Sequence, residues 1–210
     1  GQMLNDAVTA DQVIDVFQFA GMDSPELSLL SDEFLDSVAH STTPNLQLGL
    51  LRRLLGDQIR TVSRKNLVKG RKFSEMLNDA LTRYTNRSLT TAEIIAELVS
   101  LAKDMRADRE RAQQLGLSDA EIALYDAIIQ NDSAILEMGD ETLKTIAREL
   151  VATIRSSATL DWTVKESVRA RMRSRIKRLL ARYKYPPDKR EQAVQLVIEQ
   201  AEHLATGEQD

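Results

Sequence analysis

His40 and His203 are the only imidazoles in the chain, they lie far apart, and no cysteine is present to join them. A zinc ion wants about four N, S or O donors, commonly in closely spaced pairs, and this inventory offers no such set. The missing thiols also remove a thiolate nucleophile and a disulfide framework, which fits a reducing compartment. Asp119 with Glu121, and Asp140 with Glu141, are the carboxylate pairs that could do acid–base or metal chemistry. Both pairs fall where a helix is expected to begin. Acids there satisfy free amides and complement the helix dipole, so capping accounts for them. Lys69-Gly70-Arg71-Lys72 sets a glycine among cations. It lacks the Gly-Lys-Ser or Gly-Lys-Thr of a phosphate-binding loop and reads as a basic turn. No Gly-rich dinucleotide fingerprint and no serine nucleophile elbow occur. Neither catalytic, cofactor-binding nor metal-ligating residues are assigned to this chain.

The remaining chemistry is carried by cations, and these come in blocks. Residues 1–51 hold eight acids and no Lys or Arg, residues 52–72 eight bases and one acid, and residues 163–190 eleven bases and two acids. The last twenty residues, 191–210, hold five acids and no base. A helix over 164–184 would be about 30 Å long at roughly 1.5 Å per residue. Val164, Val168, Met172, Ile176, Leu179, Leu180 and Tyr183 would line its inner face. Lys165, Arg169, Arg173 and Lys177 form one row along a flank, and Arg171, Arg175, Arg178 and Arg182 form a second beside it. Neighbouring like charges on a helix repel by roughly a few tenths of a kcal/mol per pair. Acidic helices of the same fold, an acidic partner, or nucleic-acid phosphates could each offset that. The guanidinium fork suits carboxylate and phosphate alike, so all eight residues are candidate partner or DNA contacts.

The elements that position these residues are helices. With 42% apolar and 29% charged residues the composition is that of a globular protein. A chain of this length buries about 70% of its unfolded surface and needs no metal or disulfide. Thr9 with Gln12 opens a helix through Val13, Ile14 and Phe17 that stops at Gly21, and Ser24-Pro25 makes a turn. Ser31 caps a short helix bearing Phe34, Leu35 and Val38, and Thr43-Pro44 starts a longer one through Leu48, Leu51, Leu55 and Ile59. That helix is expected to run to a break near Gly70. Phe73, Leu77 and Tyr84 mark the next helix; Thr90 with Glu93 and Ser118 with Glu121 are capping boxes for two more. Gly139-Asp140 resets the chain before Leu143, Ile146 and Leu150, and Thr163 with Glu166 caps the basic helix that Pro186-Pro187 must end. Trp162, just before it, reads as a core or interface anchor. Period-two alternation and Asn-Gly or Asp-Gly hairpin signals are missing.

The expected fold is therefore all-α: a multi-helix, orthogonal or bundle-like domain of about eight helices without a sheet. Acidic N-terminal helices over 1–42 should pack on a main helical body, 43–210, that includes the basic helix 163–185 and a C-terminal helix 187–206. No apolar run approaches the roughly twenty residues of a membrane span, and the first twenty residues carry no basic leader, which points to the cytoplasm. The start on Gly1 rather than Met suggests a fragment with a tag remnant.

Several stretches, in order, carry a family resemblance: Leu30-Ser31-Asp32-Glu33-Phe34-Leu35, Arg64-Lys65-Asn66-Leu67-Val68, Phe73-Ser74-Glu75-Met76-Leu77 and Arg83-Tyr84-Thr85-Asn86-Arg87-Ser88-Leu89. Further on come Ile146-Ala147-Arg148-Glu149-Leu150-Val151, Asp161-Trp162-Thr163-Val164-Lys165-Glu166, Tyr183-Lys184-Tyr185-Pro186-Pro187-Asp188-Lys189 and Ile198-Glu199-Gln200-Ala201-Glu202. Together they span nearly the whole chain, which resembles the C-terminal helical region of the ATP-dependent motor and nuclease subunit of type I restriction enzymes. One departure is Lys184, where many relatives would carry a glycine able to adopt a left-handed helix cap; lysine argues against that cap. The resemblance implies a parent with an N-terminal nuclease domain and two helicase-like ATPase domains, for which ATP and Mg are the expected cofactors. It implies that this region attaches the motor to a methyltransferase core of modification and specificity subunits and touches the parent's own motor domains. Duplex DNA is the alternative partner, met through the Arg-rich helix; no membrane is expected.

Overall fold

The computed structural model describes residues 31–39, 43–130, 132–157 and 166–207. Nine helices and no strand occur among the described residues, as expected of an all-α chain. In chain order they are α1 (Asp32–Ala39), α2 (Pro44–Lys65), α3 (Leu67–Thr85), α4 (Thr91–Gln114) and α5 (Asp119–Ile128). Then follow α6 (Asp132–Met138), α7 (Asp140–Ser157), α8 (Glu166–Arg182) and α9 (Pro187–Gly207). The helix opened by Thr9, the Ser24-Pro25 turn, His40, Trp162, and Thr163, Val164 and Lys165 of the basic helix lie outside the described residues.

Local chemistry sets most of the boundaries. The Thr90 amide donates to Glu93 at 2.7 Å while the Glu93 amide donates back to the Thr90 hydroxyl at 3.2 Å, closing the capping box at α4. Ser118 and Glu121 do the same at α5, over 2.8 and 3.4 Å. Pro44 and Pro187 occupy the first positions of α2 and α9, where the missing N–H has no intrahelical acceptor to lose. Gly116 and Gly139 follow α4 and α6 with φ of 64° and 75°, the left-handed conformation that glycine adopts without steric cost. Helix α6 itself had no counterpart in the sequence pattern, because seven residues are too short for a 3.6-residue period to register.

Two boundaries differ from expectation. The break foreseen near Gly70 lies at Asn66, and the Lys69-Gly70-Arg71-Lys72 stretch is helical rather than a turn. A Cβ at Gly70 would stand 2.7 Å from the Ser63 Cα, so this glycine serves a close approach of α2 and α3 instead of ending a helix. The second difference is Lys184, which takes the left-handed cap despite its side chain, with φ of 57°. Its amide donates to Ala181 O at 3.0 Å and that of Tyr185 to Leu180 O at 2.9 Å, the paired bonds that close a helix through a left-handed residue. Tyr185, 1% exposed, then donates its hydroxyl to Ile128 O at 2.6 Å and fixes the turn onto the end of α5. That anchorage, with Pro186 behind it, outweighs the roughly 1 kcal/mol of left-handed strain at lysine.

The described residues divide into two compact units. The first holds α1, α2 up to Gly56, α3 from Met76 and α4 up to Ala107. Its buried side chains include Leu35, Leu51, Leu55, Ile94 and Leu98. Arg83 reaches Glu97 with two parallel bonds of 2.8 and 2.6 Å, joining α3 to α4, and Arg106 reaches Asp32 at 3.0 Å. The second unit holds the rest of α2, α3 and α4 with α5 to α9. Its core gathers Leu124, Ile128, Leu143, Ile146, Leu150, Ile176, Leu180, Val194 and Val197. Helix α5 packs on α7 and α9, and α8 packs on the same two helices.

Within that second unit a polar clasp holds the α2–α3 break. The Asn66 side chain caps α3 by accepting from the Lys69 amide at 3.0 Å and donates to the buried Asp126 carboxylate at 2.7 Å. Asp126 also takes Arg111 at 3.0 Å, with the Lys69 ammonium 4.0 Å away and bonded to Asp108. From α9, Gln200 accepts from the Leu67 amide at 2.7 Å and donates to Lys65 O at 3.2 Å, and His203 Nε2 meets Ser63 O at 2.5 Å. Burial raises the Asp126 pKa, opposed by Lys69, Arg111 and the Asn66 bond.

Two measurements check these assignments. Lys184→Gly should stabilise the chain by about 1 kcal/mol, raising its Tm by roughly 2–4 °C in a thermal melt. Asp126→Ala leaves the Asn66 amide without its acceptor and Arg111 and Lys69 with Asp108 alone, and urea unfolding should show a loss of about 1–3 kcal/mol.

Candidate partner and nucleic-acid interface

Helix α8 turns Met172, Ile176, Leu179 and Leu180 into the core of the second unit, with Val168 half-buried at the edge. Its flanks then differ because different helices lie beside them. The first cationic row faces α9. Arg169 Nε lies 2.5 Å from Glu202 Oε1, with Glu166 of its own first turn 3.6 Å from another guanidinium nitrogen. Arg173 donates to Gln195 at 3.3 Å, and Lys177 pairs with Glu191. The Lys177 hydrogen bond holds the Glu191 carboxyl below the usual carboxylate range. Lys165, the first member of this row, lies outside the described residues.

The second row faces α7, and only its last member is neutralised. Arg182 pairs with Glu149, which also accepts from the Tyr183 hydroxyl, and its guanidinium stands 5.3 Å from the Tyr183 ring centroid. The hydrogen bond to Glu149 raises the Tyr183 pKa. Arg175 donates to the Ser157 hydroxyl, and Arg178 Nε to Ser174 O of its own helix at 3.3 Å. Arg171 makes neither a hydrogen bond nor an ion pair among the described residues. Because Ser157 meets Arg175 while Glu149 meets Arg182, α7 and α8 run antiparallel. Between the two rows the outermost line of α8 is Ser167, Ala170, Ser174 and Ala181, all exposed and all small.

Seven of the eight sequence-predicted site residues lie on α8, Lys165 being outside the described residues, and they differ in their partners. Arg169, Lys177 and Arg182 pair with carboxylates of the same fold, and Arg173 bonds Gln195 within the field of Glu191. Arg171, Arg175 and Arg178 are exposed and meet no carboxylate among the described residues. The earlier basic block is mostly internal: Lys65 pairs with Asp119 and Arg71 with Glu199, each at 2.8 Å, Lys69 with Asp108, and Arg60 with Asp57. Asp140 takes a hydrogen bond from Tyr125, which lowers its pKa, and an ion pair from Lys144 at 2.9 Å, a position at the head of α7 that matches capping. Sequence reasoning missed the exposed apolar pair Ile135 and Leu136, 40% and 86% exposed, because they ride on the unread helix α6. Among the described residues no cluster of three or more His, Asp or Glu could hold a metal, and no helix is long and apolar enough to cross a membrane.

Among the described residues the chain is all-helical, with exposed guanidiniums on α8 and an exposed apolar pair on α6. It belongs to the family of C-terminal regions of type I restriction endonuclease subunits like that of HindI, which matches residues 1–207. It is 43% identical over 204 residues to the type I restriction enzyme HindI endonuclease subunit of Haemophilus influenzae, covering 97% of this chain and 19% of that relative. It is 34% identical over 181 residues to a putative type I restriction enzyme MjaIXP endonuclease subunit of Methanocaldococcus jannaschii, covering 85% of this chain and 17% of the relative. The chain thus spans under a fifth of the length of these curated relatives. No solved structure matches it.

The split between the rows is measurable as stability. Arg169→Ala removes the ion pair with partly buried Glu202 and should cost about 1–2 kcal/mol in urea unfolding, between the values for exposed and buried pairs. Arg171→Ala should change stability by less than about 0.5 kcal/mol.

Proposed function

We propose that this chain is the assembly domain of a type I restriction endonuclease subunit, attaching an ATP-dependent DNA translocase and nuclease to its methyltransferase core of modification and specificity subunits. The observation that carries this reading is family membership along residues 1–207, in a region that makes up under a fifth of relatives named as endonuclease subunits. The motif inventory supports it: with no phosphate-binding loop and no nucleophile set in this chain, ATP, Mg and bond cleavage fall to the remaining four fifths of such a parent. The parent's motor domains are the second neighbour of this region.

Attachment requires a surface with an apolar centre, since buried apolar anchors dominate stable protein interfaces. Ile135 and Leu136 on α6 meet that requirement best, with Glu137 exposed beside them as rim. The test is co-purification of the tagged 210-residue chain with the modification and specificity subunits. Leu136→Asp should weaken retention at least about tenfold, which corresponds to roughly 1.4 kcal/mol. A parent subunit that lacks this region, yet assembles and translocates normally, would overturn the proposal.

A further inference from the structure

We infer that Arg171, Arg175 and Arg178 form a contact strip for the sugar-phosphate backbone of duplex DNA, distinct from the surface that carries assembly. The first argument is the asymmetry of α8. On the α9 side Arg169 pairs with Glu202 and Lys177 with Glu191, while Arg173, hydrogen-bonded to Gln195, lies within the field of Glu191, so the fold supplies carboxylates to that flank. On the α7 side Arg175 meets Ser157, a hydroxyl, Arg178 meets a carbonyl of its own helix, and the three guanidiniums meet no carboxylate among the described residues. Holding three like charges on one face of a helix is unfavourable, and an external anion relieves it.

The second argument concerns which anion. A protein partner of useful affinity would need an aromatic or aliphatic anchor near the charges, with charged groups depleted at the centre. The exposed line of α8 has Ser167, Ala170, Ser174 and Ala181 instead, and the exposed large apolar side chains of the described residues, Leu46, Met76, Ile135 and Leu136, lie on other helices. Arg side chains with Ser hydroxyls between them are the donors that phosphate oxygens take, and small residues let a backbone come close. The strip also has a defined end. Glu149 holds Arg182 one turn beyond Arg178, and a carboxylate there repels phosphate and stops the contact. From Arg171 to Arg178 the strip is about 10 Å long at roughly 1.5 Å per residue, room for a few phosphates and no more.

Because the strip contacts backbone only, it should be indifferent to sequence and sensitive to salt. The experiment is fluorescence anisotropy of a labelled duplex of arbitrary sequence with the 210-residue chain. Three phosphate contacts give a slope of about −2.7 in log affinity against log salt, so affinity should fall about 40-fold between 50 and 200 mM NaCl. Arg171→Gln, Arg175→Gln and Arg178→Gln should each reduce the slope by about 0.9, while Arg169→Gln should leave it unchanged. The single variants keep the core of α8 intact, and a native far-UV circular dichroism spectrum confirms it in each. No duplex binding at 50 mM salt would overturn the inference, as would a slope that the triple variant leaves unaltered. Binding of poly-glutamate that depends on the three arginines, without duplex binding, would assign the strip to an acidic protein surface and overturn it equally. The assay contains no methyltransferase subunit, so its failure leaves the assembly reading standing.

Discussion

A carboxylate buried without partners is more costly than almost any other defect in a core, and Asp126 sits at 0% exposure. The second unit is built around meeting that cost. Asn66, Arg111 and Lys69 converge on Asp126 from the α2–α3 break, from α4 and from α3. The same Asn66 caps α3, so one side chain both starts a helix and ties it to α5. Gln200 closes the arrangement from α9 by occupying the backbone groups that the break leaves open. The clasp therefore decides where α2 stops, how closely Gly70 approaches Ser63, and the placement of α9, against which α8 rests.

That chain of dependence reaches the surface. Once α9 is fixed, Glu191 and Glu202 stand beside one flank of α8 and pair with Lys177 and Arg169, with Gln195 bonding Arg173 between them. The other flank meets α7 at Ser157 and Glu149, and that single carboxylate pairs with Arg182. Two rows that are chemically equivalent along the helix thereby become different surfaces. Paired and unpaired cations of one helix are separated by what lies next to them, and among the described residues Arg171, Arg175 and Arg178 are the members of the second row without a carboxylate.

Much of this was legible in the residues. Capping boxes at Thr90 and Ser118, prolines at 44 and 187 and glycines at 116 and 139 place helix ends because each acts within a few residues of itself. The apolar stripe of α8 was equally readable, since Met172, Ile176, Leu179 and Leu180 recur at helical spacing. Gly70 and Lys184 were misread for the same kind of reason: one is set by the nearness of Ser63, the other by the anchoring of Tyr185 on Ile128, and neither neighbour is local. Helix α6 escaped because its seven residues hold too few apolar positions to show a period.

Fold class, helix ends and the concentration of arginine on one helix follow from side-chain chemistry and short-range spacing, and they stood in the chain before any packing was considered. Family membership likewise rests on residues in order. Which arginines remain available is a different kind of property. Pairing between Arg169 and Glu202, or Arg182 and Glu149, joins positions 33 residues apart, and their meeting depends on three helices packing in one register. Charge blocks announce that cations must be compensated, but only the tertiary arrangement assigns each acid to its base, because electrostatic attraction acts through space and not along the sequence.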